Sequence, residues 1–174
     1  MERYQSVILS SDFVFVNSIP YFITISHHIK FITYLMTKYQ GIKPVIETIK
    51  KVEAHYAKHG FRIEGVRMDR QFGLACVKLD LLYIGINTIS KGKYVPDIDQ
   101  LKLTIKERVL TTYNYINRHL TKLAGVFIRE MVYAEVFWIN RFPDADGVFD
   151  TISHQKILTL LKLHLSHHCI LKFE

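Results

Sequence analysis

The spacing of apolar residues changes period near Pro44, and that change limits the chain to one class of architecture. Before it, Val7–Val16 is dense in β-branched and aromatic residues and runs into Asn17-Ser18, a turn signal followed by Ile19-Pro20. Tyr21–Ser26 and Ile29–Tyr34 read as two further strands separated only by His27-His28, so the first third of the chain predicts a three-stranded antiparallel meander. After it, Val45, Ile49, Val52 and Tyr56 recur at helical spacing, with Pro44 in the tolerant first turn and Gly60 as a stop.

Strand and helix signals then alternate. Phe61–Met68 carries apolar Phe61, Ile63, Val66 and Met68 and abuts Asp69; Phe72–Tyr83 has the length of a helix, and Ile84–Ile89 that of a fifth strand. Ser90-Lys91-Gly92-Lys93 reads as a flexible loop. Beyond Pro96, residues Ile98, Leu101, Ile105 and Val109 keep helical spacing, and Ala124–Trp138 reads as a buried helix. The order β-β-β-α-β-α-β-α-α predicts an α/β fold with a mixed sheet and helices packed on it. Residues 1–143 are read as the core and 144–174 as a carboxy-terminal extension packed on it or trailing from it.

A chain of 174 residues that is 49% hydrophobic is long enough for one such domain. Lys and Arg number 23 against 16 acids, a formal charge of +7 that favours a polyanionic partner such as nucleic acid. Two cysteines cannot build a disulfide framework or a Cys-rich zinc site, which suits a reducing, intracellular compartment. The amino terminus does not read as a secretory signal. No apolar stretch reaches the roughly 20 clean residues of a membrane span, so no membrane role is expected. His164, His167, His168 and Cys169 lack the paired spacing of a structural zinc site, and His27-His28 reads as a turn pair.

Three carboxylates stand out by position. Asp12 lies inside the most apolar strand, where an isolated ionised carboxylate is costly, so something must compensate it: hydrogen bonds, solvent at an edge, or a metal ion. Asp69 closes the fourth strand, at the end from which open α/β sheets present their sites, although an aspartate there also serves as a helix cap. Asp97 and Asp99 open a late helix, where its dipole favours negative charge. Carboxylates converging from separate elements suit Mg²⁺ or Mn²⁺, and a pair of such ions about 3.5–4 Å apart serves in-line phosphodiester displacement.

The segments Ser11-Asp12-Phe13-Val14-Phe15-Val16-Asn17 with Ile19-Pro20-Tyr21-Phe22, then Val66-Arg67-Met68-Asp69, then Val95-Pro96-Asp97-Ile98-Asp99 leading into Thr104–Arg108, and finally Val136–Pro143 followed by Asp150–Ser153, occur in an order and spacing that resembles the integrases of copia-type retrotransposons, in a divergent copy. The resemblance covers almost the whole chain. It implies a ribonuclease-H-like fold, a mixed five-stranded sheet of three antiparallel strands and then parallel strands with helices on both faces. It further implies DNA strand transfer with Mg²⁺ or Mn²⁺, nuclear action, a possible homo-oligomer, and the catalytic and metal-ligand role for Asp12, Asp69 and Asp99.

Two departures stand against this pattern. The family usually has Glu followed by Arg where this chain has Asp99-Gln100, and Arg70-Gln71-Phe72 lacks the Gly and the acidic residue usual after the second aspartate. Both bear on activity, and the first leaves Asp97 open as the third ligand. A catalytically impaired nucleic-acid-binding remnant is therefore the alternative reading, and a small ribonuclease or resolvase on the same fold a third. For DNA contact the candidates are Lys102 and Lys106, three and seven residues beyond Asp99 on the same helix face, with Lys91 and Lys93 in the adjacent loop.

Overall fold

A computed structural model describes residues 6–72, 85–89, 96–117, 125–142 and 152–159 of the chain. Strands β1 (Ser6–Val16) and β2 (Ile19–Ser26) pair antiparallel across Asn17-Ser18, with Val16 opposite Ile19. Both turn residues have positive φ, 49° and 64°, the backbone that a two-residue hairpin needs to match the strand twist. The hairpin is tighter than the sequence suggested, so β2 begins before Tyr21 and includes Pro20, whose carbonyl accepts the Thr37 N–H at 2.9 Å.

β3 (Ile32–Met36) starts three residues later than the sequence reading of Ile29–Tyr34. His27-His28 does not make a two-residue turn. The chain reverses instead over residues 27–31, with Lys30 at φ 60°, its N–H on the Ser26 carbonyl at 2.9 Å, and the Phe31 N–H on Ser26 Oγ at 3.0 Å. This wider loop lets Ile29 and Phe31 drop into the core as loop residues. Asn140 then reaches the outer side of β3: its Oδ1 accepts the Ile32 N–H and its Nδ2 donates to the Ile32 carbonyl, both at 2.8 Å.

α1 (Ile42–Lys58) buries Val45, Ile49, Val52 and Tyr56, the stripe its spacing predicted, and ends where Gly60 adopts φ 79°. β4 (Arg62–Asp69) runs parallel to β1, and β5 (Gly85–Ile89) parallel to β4, giving the five-stranded order β3-β2-β1-β4-β5. The β1–β4 ladder shifts register: Val7 pairs with Ile63 but Ile8 with Gly65, so Glu64 is an extra residue in β4. Ile63, Val66 and Met68 therefore share one buried face despite their uneven spacing.

α2 (Pro96–Asn117), α3 (Gly125–Arg141) and α4 (His154–Thr159) complete the described elements. Two cores lie on opposite faces of the sheet. On one, α1 and Leu158 of α4 pack against Val7, Leu9, Phe13, Phe22, Val66 and Met68; on the other, α2 and α3 pack against Val14, Val16, Tyr21, Ile23 and Ile25. α3 is not buried all round, as its composition suggested. Ile128, Met131, Val132 and Val136 face the sheet, while Val126, Phe127 and Tyr133 are exposed, because only one stripe of a helix can reach the layer beneath it. The helix read over Phe72–Tyr83, the loop with Lys91 and Lys93, the His164–Cys169 cluster and most of 144–174 lie outside the described residues. Among those described, Arg70–Phe72 forms a single 3-10 turn after β4, and no helix is long and apolar enough to cross a membrane.

Candidate functional site

The site is built on the α2 face of the sheet. Along β1 the side chains alternate, so Phe13 enters the α1 core while Val14 and Val16 enter the α2 core, and Asp12 shares their face. There it meets the first turns of α2. Lys102 Nζ lies 2.6 Å from Asp12 Oδ2 and 2.6 Å from Asp99 Oδ1, one helical turn back on its own helix. Asp12 Oδ1 accepts the Phe13 N–H at 2.7 Å. The compensation required for a carboxylate in an apolar strand is thus a lysine ammonium and a backbone amide. Burial works to lower the Lys102 pKa, but hydrogen bonds to Asp12 and Asp99 and their charges outweigh it and hold it above the usual lysine value.

Asp69 is placed by the shifted β4 register. Ser10↔Arg67 is the last pair of the parallel β1–β4 ladder, and Asp12 and Asp69 each lie two residues beyond it, so strand alternation puts the two acids on the same face. Without the extra residue Glu64, Arg67 and Asp69 would point into the α1 core; with it they share the face of Ser10 and Asp12. Asp69 is exposed at the strand end. Asp97, the other acid opening α2, is turned elsewhere, 3.1 Å from Lys30 Nζ and 3.7 Å from His27 Nδ1. The structure therefore brings Asp99, and not Asp97, to Asp12.

His27, Ser10 and Arg67 form a second cluster on this face that sequence reasoning missed. His27 Nε2 lies 3.0 Å from Ser10 Oγ and 3.2 Å from Arg67 Nη1. A guanidinium can only donate, so Nε2 is the acceptor and the ring is neutral, with its proton on Nδ1 toward Asp97. Burial and the Arg67 charge lower the His27 pKa, against the opposing pull of Asp97. The only sequence hint was the uneven Ile63 to Val66 spacing in β4, which places Arg67 on this face.

The fold family suggested by sequence implies a divalent metal at these carboxylates. Three carboxylates are the right hard oxygen donors for Mg²⁺. The position between Asp12 and Asp99, however, is taken by the Lys102 ammonium, and among the described residues no three of His, Cys, Asp or Glu come together closely enough to hold a metal ion. As arranged, the residues do not fit the ion. Lys102 is likewise committed to carboxylates instead of standing free for phosphate. Lys106, one turn further along α2, is exposed at the rim of a surface pocket of about 290 Å³ lined by Phe15, Leu110, Tyr113 and Ile128. Lys91 and Lys93 lie outside the described residues.

No protein-family model and no curated protein sequence matches the chain. Among solved structures it is similar to the catalytic core domain of BIV integrase, with a TM-score of 0.60 and 10% identity over 92% of this chain and 95% of that one. It is also similar to a chain of the simian T-cell lymphotropic virus intasome in complex with PP2A regulatory subunit B56 gamma, with a TM-score of 0.61 and 12% identity over 89% of this chain; the match spans 54% of that longer chain. At such identities the likeness establishes architecture: the chain has the ribonuclease-H-like fold of a retroviral integrase catalytic core.

Proposed function

We propose that the chain is an integrase-like core of the polynucleotidyl transferase class that acts on DNA ends, of copia-type origin, working in the nucleus and as an oligomer. The observation that carries this reading is the placement of Asp12, Asp69 and Asp99 from two neighbouring parallel strands and a helix start on one face of an integrase-like sheet. A net charge of +7 and the exposed Lys106, one turn beyond Lys102 on α2, supply the complement to a phosphate backbone. Divalent metal belongs to the proposal, but because the present arrangement does not fit it, no chemical step is assigned to it here.

A second reading, DNA binding without turnover, is favoured by the Lys102 contacts and by the short reach of Asp99. The experiment that separates the two is strand transfer by the purified chain on a labelled oligonucleotide duplex in Mg²⁺ and Mn²⁺, beside DNA binding measured without metal. Transfer that Asp12→Ala abolishes supports the first reading; binding without transfer supports the second. A misplacement of about 1 Å costs on the order of a hundredfold in rate, so Asp99→Glu is expected to raise transfer if reach is the defect. A preference for the RNA strand of a hybrid would instead point to a ribonuclease.

A further inference from the structure

The carboxylate pair and its lysine disagree with the metal that the fold implies, and we propose that Lys102 is the resident cation of this site in the absence of DNA, an internal ammonium that neutralises Asp12 and Asp99 and holds divalent ions off the DNA-free chain. The inference uses the carboxylate site of the proposed function but not its DNA chemistry.

Three observations carry it. Lys102 Nζ touches both carboxylates at 2.6 Å, the length of a charge-assisted hydrogen bond, and so stands where an ion bridging them would stand. The lysine is tethered: it sits on the helix that carries Asp99, three residues on, where α2 holds the two side chains on one face. Its surroundings are part-buried, with side-chain exposures of 22% for Lys102 and 24% for Asp12, so the pair is less screened than a surface ion pair. A divalent ion must displace an ammonium that is covalently part of the site and always present at high local concentration. If the lysine-free arrangement is populated a tenth of the time or less, apparent metal affinity falls by about tenfold or more.

Removing the ammonium should convert the pair into an ordinary acidic site. In Lys102→Met, Asp12 and Asp99 face each other without a cation, which destabilises the fold and leaves a position a metal can fill.

The test measures Mn²⁺ binding to the full chain by electron paramagnetic resonance, without DNA, for the wild type and Lys102→Met. The expected result is binding at least about tenfold tighter in the variant, consistent with the competition above, together with a rise in its melting temperature on adding Mg²⁺ that the wild type lacks. Equal affinities, or no binding by either protein, would overturn the proposal. Should the variant not fold, nuclear magnetic resonance of the Lys102 ammonium in the wild type decides instead. A signal that persists in millimolar Mg²⁺ supports the proposal, and its loss at micromolar Mg²⁺ overturns it. Strand transfer plays no part in these readouts, so failure of the proposed activity would leave them intact.

Discussion

Lys102 Nζ lies 2.6 Å from Oδ2 of Asp12, a contact between a helix and a strand that are 90 residues apart in the chain. It joins the first strand of the sheet to the helix that covers its face, and it satisfies a carboxylate that the apolar run Phe13–Val16 would otherwise strand. A hydrogen bond to a charged group of this kind contributes about 1.5–3 kcal/mol. Asp12→Ala should therefore lower unfolding stability in urea by an amount in that range, and a loss under about 0.5 kcal/mol, typical of surface substitutions, would show the contact to be incidental.

The same pair sets an alkaline limit. The folded Lys102 pKa lies above the ordinary 10.5, so its stabilising contribution is complete below that value and is lost as pH rises through the folded pKa. Urea stability is expected to fall above about pH 10.5 in the wild type and to lack this component in Lys102→Met. Identical alkaline profiles would contradict the shift.

His27 sets an acid limit of the opposite origin. Its folded pKa lies below the ordinary 6.5, so the neutral ring contributes stability that is complete above that value and is lost as pH falls through the folded pKa. The ring resonances of His27 should titrate with a midpoint below 6.5, and Arg67→Met, which removes the positive charge beside the ring, should move the midpoint upward. A midpoint at or above 6.5 in the wild type would show that Nε2 is not held as an acceptor.

Asn140 closes β3 by pairing with both backbone groups of Ile32. Asn140→Leu keeps the volume and strands a buried N–H and a buried carbonyl, each costing about 1–3 kcal/mol. The expected loss is roughly 2–4 kcal/mol in denaturant unfolding. A change within about 0.5 kcal/mol, the range of ordinary surface substitutions, would mean that water replaces the amide without loss.

Lys106 is exposed on α2 beyond the ion-paired Lys102. For a phosphate contact, Lys106→Ala should weaken binding to all DNA duplexes by a similar factor and reduce the slope of log affinity against log salt by about 1. Affinity that is insensitive to salt in the parent chain would remove the electrostatic DNA surface.

What the sequence determined alone is what short-range pattern encodes. The Val7–Val16 strand was legible from its density of β-branched and aromatic residues, and the α1 stripe of Val45, Ile49, Val52 and Tyr56 and the α2 stripe of Ile98, Leu101, Ile105 and Val109 because burial repeats with the helical period. The need for Asp12 to be compensated was legible from its neighbours in sequence, since a charge in an apolar strand is costly wherever the rest of the chain lies. Tertiary structure decided the compensator. Nothing local to Asp12 points to Lys102, and among several lysines only the docking of α2 on the sheet chooses that one. It also decided the face of Asp69, through one extra residue at Glu64, and the start of β3, through a loop pinned by Ser26 and an amide from Asn140. Register, bulges and long-range ion pairs depend on which elements meet, and periodicity along one element carries no information about its partner.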